Sequence, residues 1–310
     1  MKKTEERLEE LKRLRSTPLE TAAPLLKKAL QDKSNLVVAE AAKIIGDLRC
    51  AHLTPDLLGA FNRLFDDPVK TDSKCRGKTA IVRALTLLDH DESPPFLRAA
   101  VHIQMEPVWG GQEDAAVHLR ANAVLALVQC ADLSRPEKVR YVVDAAADTS
   151  DTVRMEAIRT LEQLNGEEAR ALLRLKAHLG DKRASVVGQV FDSLLALEGE
   201  RAVEFVGRFL KSGDIETRDE AALSLGASRF QSAVGLLMDA WKNSGSRDAS
   251  SVLLRALSSS RDETALSFLL GLVREGISTD AAAALEALEL HKDSPEIQQQ
   301  VQQARSERGR

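Results

Sequence analysis

Apolar residues recur at helical spacing along almost the whole chain. Leu25, Leu26 and Leu30 form one stripe, and Ala157, Ile158, Leu161 and Leu164 another. Such i, i+3, i+4 spacing is that of a helix burying one face. Helix starts are marked by capping sequences. Thr17-Pro18-Leu19-Glu20 offers a hydroxyl cap, a proline at the first helical position and a glutamate at the third. Ser134-Arg135-Pro136-Glu137 and Ser260-Arg261-Asp262-Glu263 have the capping-box form, in which hydroxyl and carboxylate satisfy two orphan amides. Ser294-Pro295 opens a last helix in the same manner. Short stops, Asn165-Gly166 and Ser212-Gly213-Asp214, separate helices, Ser244-Gly245-Ser246 reads as a turn, and no strand of period two is predicted.

The predicted helices come in pairs, and the pairs recur. Leu119-Arg-Ala-Asn-Ala123, Val153-Arg-Met-Glu-Ala157 and Thr217-Arg-Asp-Glu-Ala221 each set an arginine three residues before a small core residue. Weaker copies end at Ala41, Thr79, Val190, Val252 and Ala283, which spaces the series by 38, 44, 34, 33, 31, 31 and 31 residues. An amphipathic helix precedes each copy, as at residues 135–147 and 202–210. A pair of this kind cannot bury its apolar face alone, so neighbours must stack.

An Asp or Ser turn followed by V-R-x-x-A resembles the HEAT repeat, especially the short bacterial form also seen in phycobilisome lyases. Asp151-Thr-Val-Arg-Met-Glu-Ala157 is the closest copy; the segments 33–46 and 218–226 follow. Val38, Val187, Ala249 and Asp280 stand in place of the arginine in four copies. The resemblance implies an all-α fold: a right-handed α-α superhelix of about eight helix pairs with capping helices. First helices would lie on the convex side and second helices on the concave side. The expected organisation is a single solenoid over 1–310, with an N-terminal cap at 1–16, repeats over 17–290 and a C-terminal cap and frayed tail at 291–310. In the caps, Leu8, Leu11 and Leu14 share one face, as do Ile297, Val301 and Ala304. HEAT proteins mostly act as binding platforms.

Composition narrows the function classes. With 44% hydrophobic residues the chain has matter for a core, and with only 4% aromatics it lacks the usual make-up of a β-rich fold. Lys+Arg 43 against Asp+Glu 47 leaves −4, so no basic block drives nonspecific nucleic-acid or membrane binding. The opening MKKTEERLEE has no apolar signal-peptide core, and the longest apolar run, residues 266–273, cannot span a bilayer. Three cysteines without a CxxC read as reduced, buried thiols of a cytoplasmic protein.

Catalytic signatures are sparse. None of the six histidines is followed by glutamate, which removes the His-Glu pairs that hold the di-iron centre of HEAT-repeat deoxyhypusine hydroxylases. There is no HExxH, no Cys/His cluster and no G-x-S-x-G. His102 and His118 flank one loop and are the one pair that could share a metal; ordinary polar roles are the expectation. HEAT-like alkylpurine DNA glycosylases use a basic groove and aromatic side chains, whereas Trp109 and Trp241 here are far apart in sequence. Lys74, Arg76 and Lys78 make a basic stretch that reads either as an anion contact or as a solvated loop carrying the repeat arginine, Arg76.

The most individual segment is Ile103-Gln-Met-Glu-Pro-Val-Trp-Gly-Gly-Gln-Glu-Asp114, which accounts for the 44-residue interval. Pro107 stops a helix, Gly110-Gly111 allows a sharp turn, and Asp114 is placed to cap the helix expected at 115–131. Residues 104–113 are predicted to form an irregular loop at one edge of the third repeat. Met105, Val108 and Trp109 would form its apolar tip, and Glu106, Gln112 and Glu113 its polar rim, the composition of a small interface anchor. The competing expectation is that Trp109 folds back onto the solenoid.

The function expected is a noncatalytic, protein-binding scaffold or adaptor in the cytoplasm, without cofactor, metal or small-molecule substrate, and without nucleic-acid or membrane partners. The alternatives are a HEAT-like enzyme of lyase or alkylpurine DNA glycosylase type working in the concave groove, or a noncatalytic nucleic-acid-binding solenoid.

Overall fold

A computed structural model describes residues 2–244 and 247–308. Helix accounts for 78% of the chain, in 19 α-helices among the described residues. They group into two compact units, residues 1–164 and 165–310.

In the first unit, α1 (Lys2–Arg13), α2 (Leu19–Leu30), α3 (Asn35–Asp47), α4 (Thr54–Arg63) and the single turn α5 (Pro68–Thr71) lead to α6 (Arg76–Leu87) and α7 (Pro94–Ala100). Two strands follow, β1 (Met105–Val108) and β2 (Gly111–Asp114), then α8 (Val117–Ala126), α9 (Arg135–Ala145) and α10 (Asp151–Leu164). Helices α3, α6, α8 and α10 pack side by side in chain order, with α2, α4, α7 and α9 respectively against them. Val38, Ala41, Ile45, Ile81, Leu85, Ala123 and Ala157 are fully buried along this row. Leu11 of α1 and Leu14 just after it are buried in the same core.

The second unit runs through α11 (Gly166–Leu179), α12 (Ala184–Glu198), α13 (Glu200–Gly207), α14 (Ile215–Ser228), α15 (Gln231–Lys242), α16 (Arg247–Ser260), α17 (Glu263–Glu275), α18 (Ser278–Leu288) and α19 (Pro295–Arg308). Here α12, α14, α16 and α18 form the row. Contact there is close enough that a Cβ on Gly226 would run into the Ala256 carbonyl oxygen. Val301 and Ala304 of α19 pack against α17, and Arg308 donates to the Val273 and Gly276 carbonyls. Residues 306–308, expected to fray, are thus helical and tied down; Gly309 and Arg310 lie outside the described residues, as do Gly245 and Ser246 of the expected turn.

Ala123, Ala157 and Ala221 are all fully buried, as the repeat alignment predicts. Of the weaker copies, Ala41 and Val190 are buried, but Thr79, Val252 and Ala283 are half-exposed. In the second pair the register is two residues later. Lys78, not Arg76, takes the buried place of Arg120 and Arg154, and Ile81 follows it into the core. Arg76 is exposed, so Lys74, Arg76 and Lys78 do not gather into an anion site.

Ser134 and Glu137 form the expected capping box. Two other expected caps differ. Thr17 turns its hydroxyl back to the Arg13 carbonyl instead of capping α2. Asp262 rather than Ser260 caps α17, because its carboxylate reaches the Thr264 and Ala265 amides while Ser260 still belongs to α16.

The predicted irregular loop at 104–113 is instead an antiparallel β-hairpin, pairing Met105 with Asp114 and Val108 with Gly111 around Trp109-Gly110. Its tight turn is possible because Gly110 takes a φ of +90°, which a side chain would oppose.

Candidate functional site

The hairpin stands on a buried polar cluster supplied by the segment before α6 and by the first turn of α6. Asp72 and Lys78 form an ion pair of 3.2 Å with both side chains fully buried. Burying such a pair costs several kcal/mol per ion unless its remaining hydrogen-bonding capacity is met. Here it is met throughout. The Asp72 carboxylate accepts from the Gly77 and Lys78 amides at 2.7 and 2.9 Å and from Asn35 Nδ2 at 3.1 Å. Lys78 Nζ donates to the Leu64 carbonyl at 3.1 Å and to Gln104 Oε1 at 2.9 Å, and lies 5.2 Å from the Phe65 ring centre. To present these amides the chain adopts left-handed backbone at Lys74 and Cys75.

Gln104 and Glu106 carry the cluster into the hairpin. Gln104 Nε2 donates to the Asp72 carbonyl at 2.9 Å and to Glu106 Oε1 at 2.6 Å. Glu106 also accepts from Ser73 Oγ at 3.0 Å and from the Lys74 amide at 2.5 Å. Burial acts to raise the Glu106 carboxyl, but the hydrogen bonds from Gln104, Lys74 and Ser73 outweigh it and hold it below its ordinary value. At the other strand Asp114 accepts from the Gln104 and Ala116 amides and from Arg120 Nη1, which is 2.6 Å away. Its burial is likewise outweighed by these bonds, and its pKa is lowered. Asp114 thus serves just ahead of α8, which ends at Ala126 and gives way to a 3-10 turn rather than running to 131. Arg120 continues the chain of charges to Asp148 through two hydrogen bonds, at 2.8 and 3.1 Å.

The other face of the same stretch is apolar and open. From Val101 to Glu106 the sequence alternates apolar and polar, Val-His-Ile-Gln-Met-Glu, and the structure turns it inside out. Gln104 and Glu106 are buried, whereas Val101, Ile103 and Met105 are exposed at 74%, 64% and 45%. Trp109 stands at the turn with its whole side chain in solvent, 105% exposed. It does not fold back onto the repeats. Val108, Gln112 and Glu113 are exposed beside it. Of the six residues read as an interface anchor, five lie at the surface. Glu106 is the correction: it is a root, not a rim residue, because only a buried carboxylate can reach the Ser73 hydroxyl and Lys74 amide together.

Val101, Ile103, Gln104 and the Asp72–Lys78 pair escaped sequence reasoning. A signal was present in the two-residue alternation over 101–106, which is a strand period.

The remaining candidates fall elsewhere. The His102 ring sits edge-on to Phe65 and contacts Gln104, while His118 is exposed on α8. Among the described residues no group of three or more His, Cys, Asp or Glu is placed to hold a metal ion, and no helix is long and apolar enough to cross a membrane. Trp241 packs edge-on against Phe268, 5.2 Å between ring centres.

Stacked helix pairs with a buried small residue in each second helix define a tandem helical-repeat protein. Residues 203–289 match the family model of HEAT repeats. A comparison with curated protein sequences gives no match. Among solved structures, human deoxyhypusine hydroxylase in complex with glycerol is 18% identical with a TM-score of 0.32, over 83% of this chain and 98% of that one. An engineered protein is 18% identical with a TM-score of 0.21, over 92% and 95%. Neither likeness is close enough to bear on activity.

Proposed function

We propose that the protein is a noncatalytic scaffold that binds a protein partner through the 101–114 hairpin. The observation that carries this reading is the inverted strand: its polar face is buried and satisfied, and its apolar face, ending in Trp109, is left to water. Large apolar side chains left together at a surface mark an interaction site. A tryptophan on a rigid support is the usual anchor of one, because little side-chain freedom is lost on binding. The hydrogen bond that Gln104 donates to the repeat, and those that Glu106 and Asp114 accept from it, supply that support.

Affinity purification of the full chain from its native cell, compared with Trp109→Ala, tests the reading. A stoichiometric protein is expected with the native chain, and its affinity should fall by about 2 kcal/mol, roughly thirtyfold, in the variant. Equal capture by both chains, or recovery of nucleic acid in place of a protein, overturns it.

A further inference from the structure

The hairpin has two outer edges, and they are not equivalent. Met105 pairs with Asp114, and the Ala115 amide donates to the Gln104 carbonyl at 2.8 Å. This fixes residues 104 with 115, 106 with 113 and 108 with 111 as the pairs whose backbone groups face each other inside the ladder. In an antiparallel pair the alternate residues turn their N–H and C=O groups outward. On β1 these are Met105 and Pro107, and a proline has no N–H to offer. On β2 they are Gln112 and Asp114. The three residues Gly111, Gln112 and Glu113 are exposed, and a Cβ built on Gly110 or Gly111 meets nothing within 4 Å. One edge is closed by proline; the other is an open strand edge of the kind that templates pairing with another chain.

The charges say what fits there. Between His102 and His118 there is no lysine or arginine, and there are three acids, Glu106, Glu113 and Asp114. Glu106 spends its charge on Ser73 and Lys74, and Asp114 on Arg120. Glu113 is exposed and holds no ion pair among the described residues. A second copy of β2 laid antiparallel on the first would set acidic residues against acidic residues, which is unfavourable directly across strands. A strand with a basic residue opposite Glu113 gains instead. Its alternate side chains would fall on the other face, beside Gln112 and beside Asp114, whose charge Arg120 already meets, so uncharged residues fit there.

We propose that the β2 edge, Gly111–Asp114, takes an extended segment of a partner protein by strand addition, with basic residues on the Glu113 face alternating with uncharged residues on the face of Gln112 and Asp114. This rests on the hairpin being the partner-binding site and specifies how the partner is held. Main-chain hydrogen bonds to Gln112 and Asp114 supply the ladder, and the alternating side chains supply the selection.

The probe is a fluorescein-labelled synthetic peptide of alternating lysine and valine, about eight residues long, ample for a four-residue edge. It is titrated against the full chain by fluorescence polarisation, with an alternating glutamate–valine peptide as the control. The lysine–valine peptide is expected to bind and the control not to. Gln112→Pro removes the outward N–H without touching the inner ladder and should weaken binding roughly fivefold, the worth of one net hydrogen bond. Glu113→Lys should weaken it by about the same factor and admit the control peptide. Melting temperature and circular dichroism check that Gln112→Pro still folds; if it does not, Glu113→Lys, at an exposed position, decides on the exchange of peptide preference alone. Failure of the lysine–valine peptide to bind overturns the proposal. So does binding that responds to Glu113→Lys but not to a folded Gln112→Pro, since that is charge attraction without a ladder. Loss of the native partner with Trp109→Ala but not with Gln112→Pro leaves the hairpin as the binding site and removes only strand addition.

Discussion

Lys78 and Asp72 show how much a single position can hold. Replacing Lys78 by methionine fills the volume but leaves the Asp72 carboxylate buried beside its amide donors without its cation. Removal of one partner from a fully buried pair costs about 3–5 kcal/mol. Arg76→Ala, two residues away and exposed, should cost less than about 0.5 kcal/mol. Urea unfolding of both variants checks the contrast, and equal losses would show that the buried charge has been misplaced. Acid should loosen the same region. Glu106 and Asp114 have lowered pKa values in the folded protein, so their contribution is complete above the ordinary carboxyl values of 4.5 and 3.8 and is lost as the pH falls through the lowered ones. Glu106→Gln should therefore flatten the fall in urea midpoint between about pH 5 and pH 3. The cysteines are the inert counterpart. Cys75 and Cys130 are pushed by burial to about 12 and about 11, and Cys50 is buried and raised too. A thiol reagent at mildly alkaline pH should find none in the native protein and all 3 after denaturation.

At the level of the element, helix rows were legible because their signals are local. The spacing that selects Ala123, Ala157 and Ala221 reports a helix face directly, and burial agrees. Register in the second pair was not legible, because Arg76 matches the repeat pattern while Lys78 makes the tertiary contacts, and only the fold distinguishes two cations on different sides of one helical turn. The hairpin was missed for a related reason. Its alternation places glutamine and glutamate inward, an arrangement stable only because Ser73, Lys74 and Asp72 wait beneath it, and those lie about 30 residues earlier in the chain. Close helix approach is also tertiary, and it gives a paired prediction. Gly226→Ala drives a Cβ into the Ala256 backbone, whereas Gly235, inside α15, has nothing within 4 Å. The first change should destabilise by about 1–3 kcal/mol through overpacking. Gly235→Ala should stabilise by roughly 0.5–1 kcal/mol through helix propensity. Thermal unfolding monitored by circular dichroism reads both, and a stabilising Gly226→Ala would mean that α14 and α16 stand further apart.

For the molecule as a whole, what matters is that each row is linked in chain order. Helix α6 packs between α3 and α8, and α14 between α12 and α16. In such an array stability is close to a sum of repeat terms and nearest-neighbour interfaces, so local damage should remain local. Hydrogen exchange measures this, since amides in each segment report their own opening free energy. Gly226→Ala is expected to speed exchange in α14 and α16, which lose the interface, and to a smaller degree in α12 and α18. Protection in α6, α8 and the hairpin of the other unit should be unchanged. Lys78→Met should give the complementary pattern, with fast exchange in α6, β1 and β2 and an undisturbed α14. When the two changes are combined, their effects should add within about 0.5 kcal/mol, because the sites share no partner. Uniform loss of protection across the chain from either substitution would instead identify one cooperative block, and the hairpin would then answer to changes made anywhere in the array. With the nearest-neighbour behaviour expected here, the hairpin depends on the segment 72–78, on α8 and on the helices packed directly against them, so more distant repeats can vary without disturbing the surface that carries Trp109.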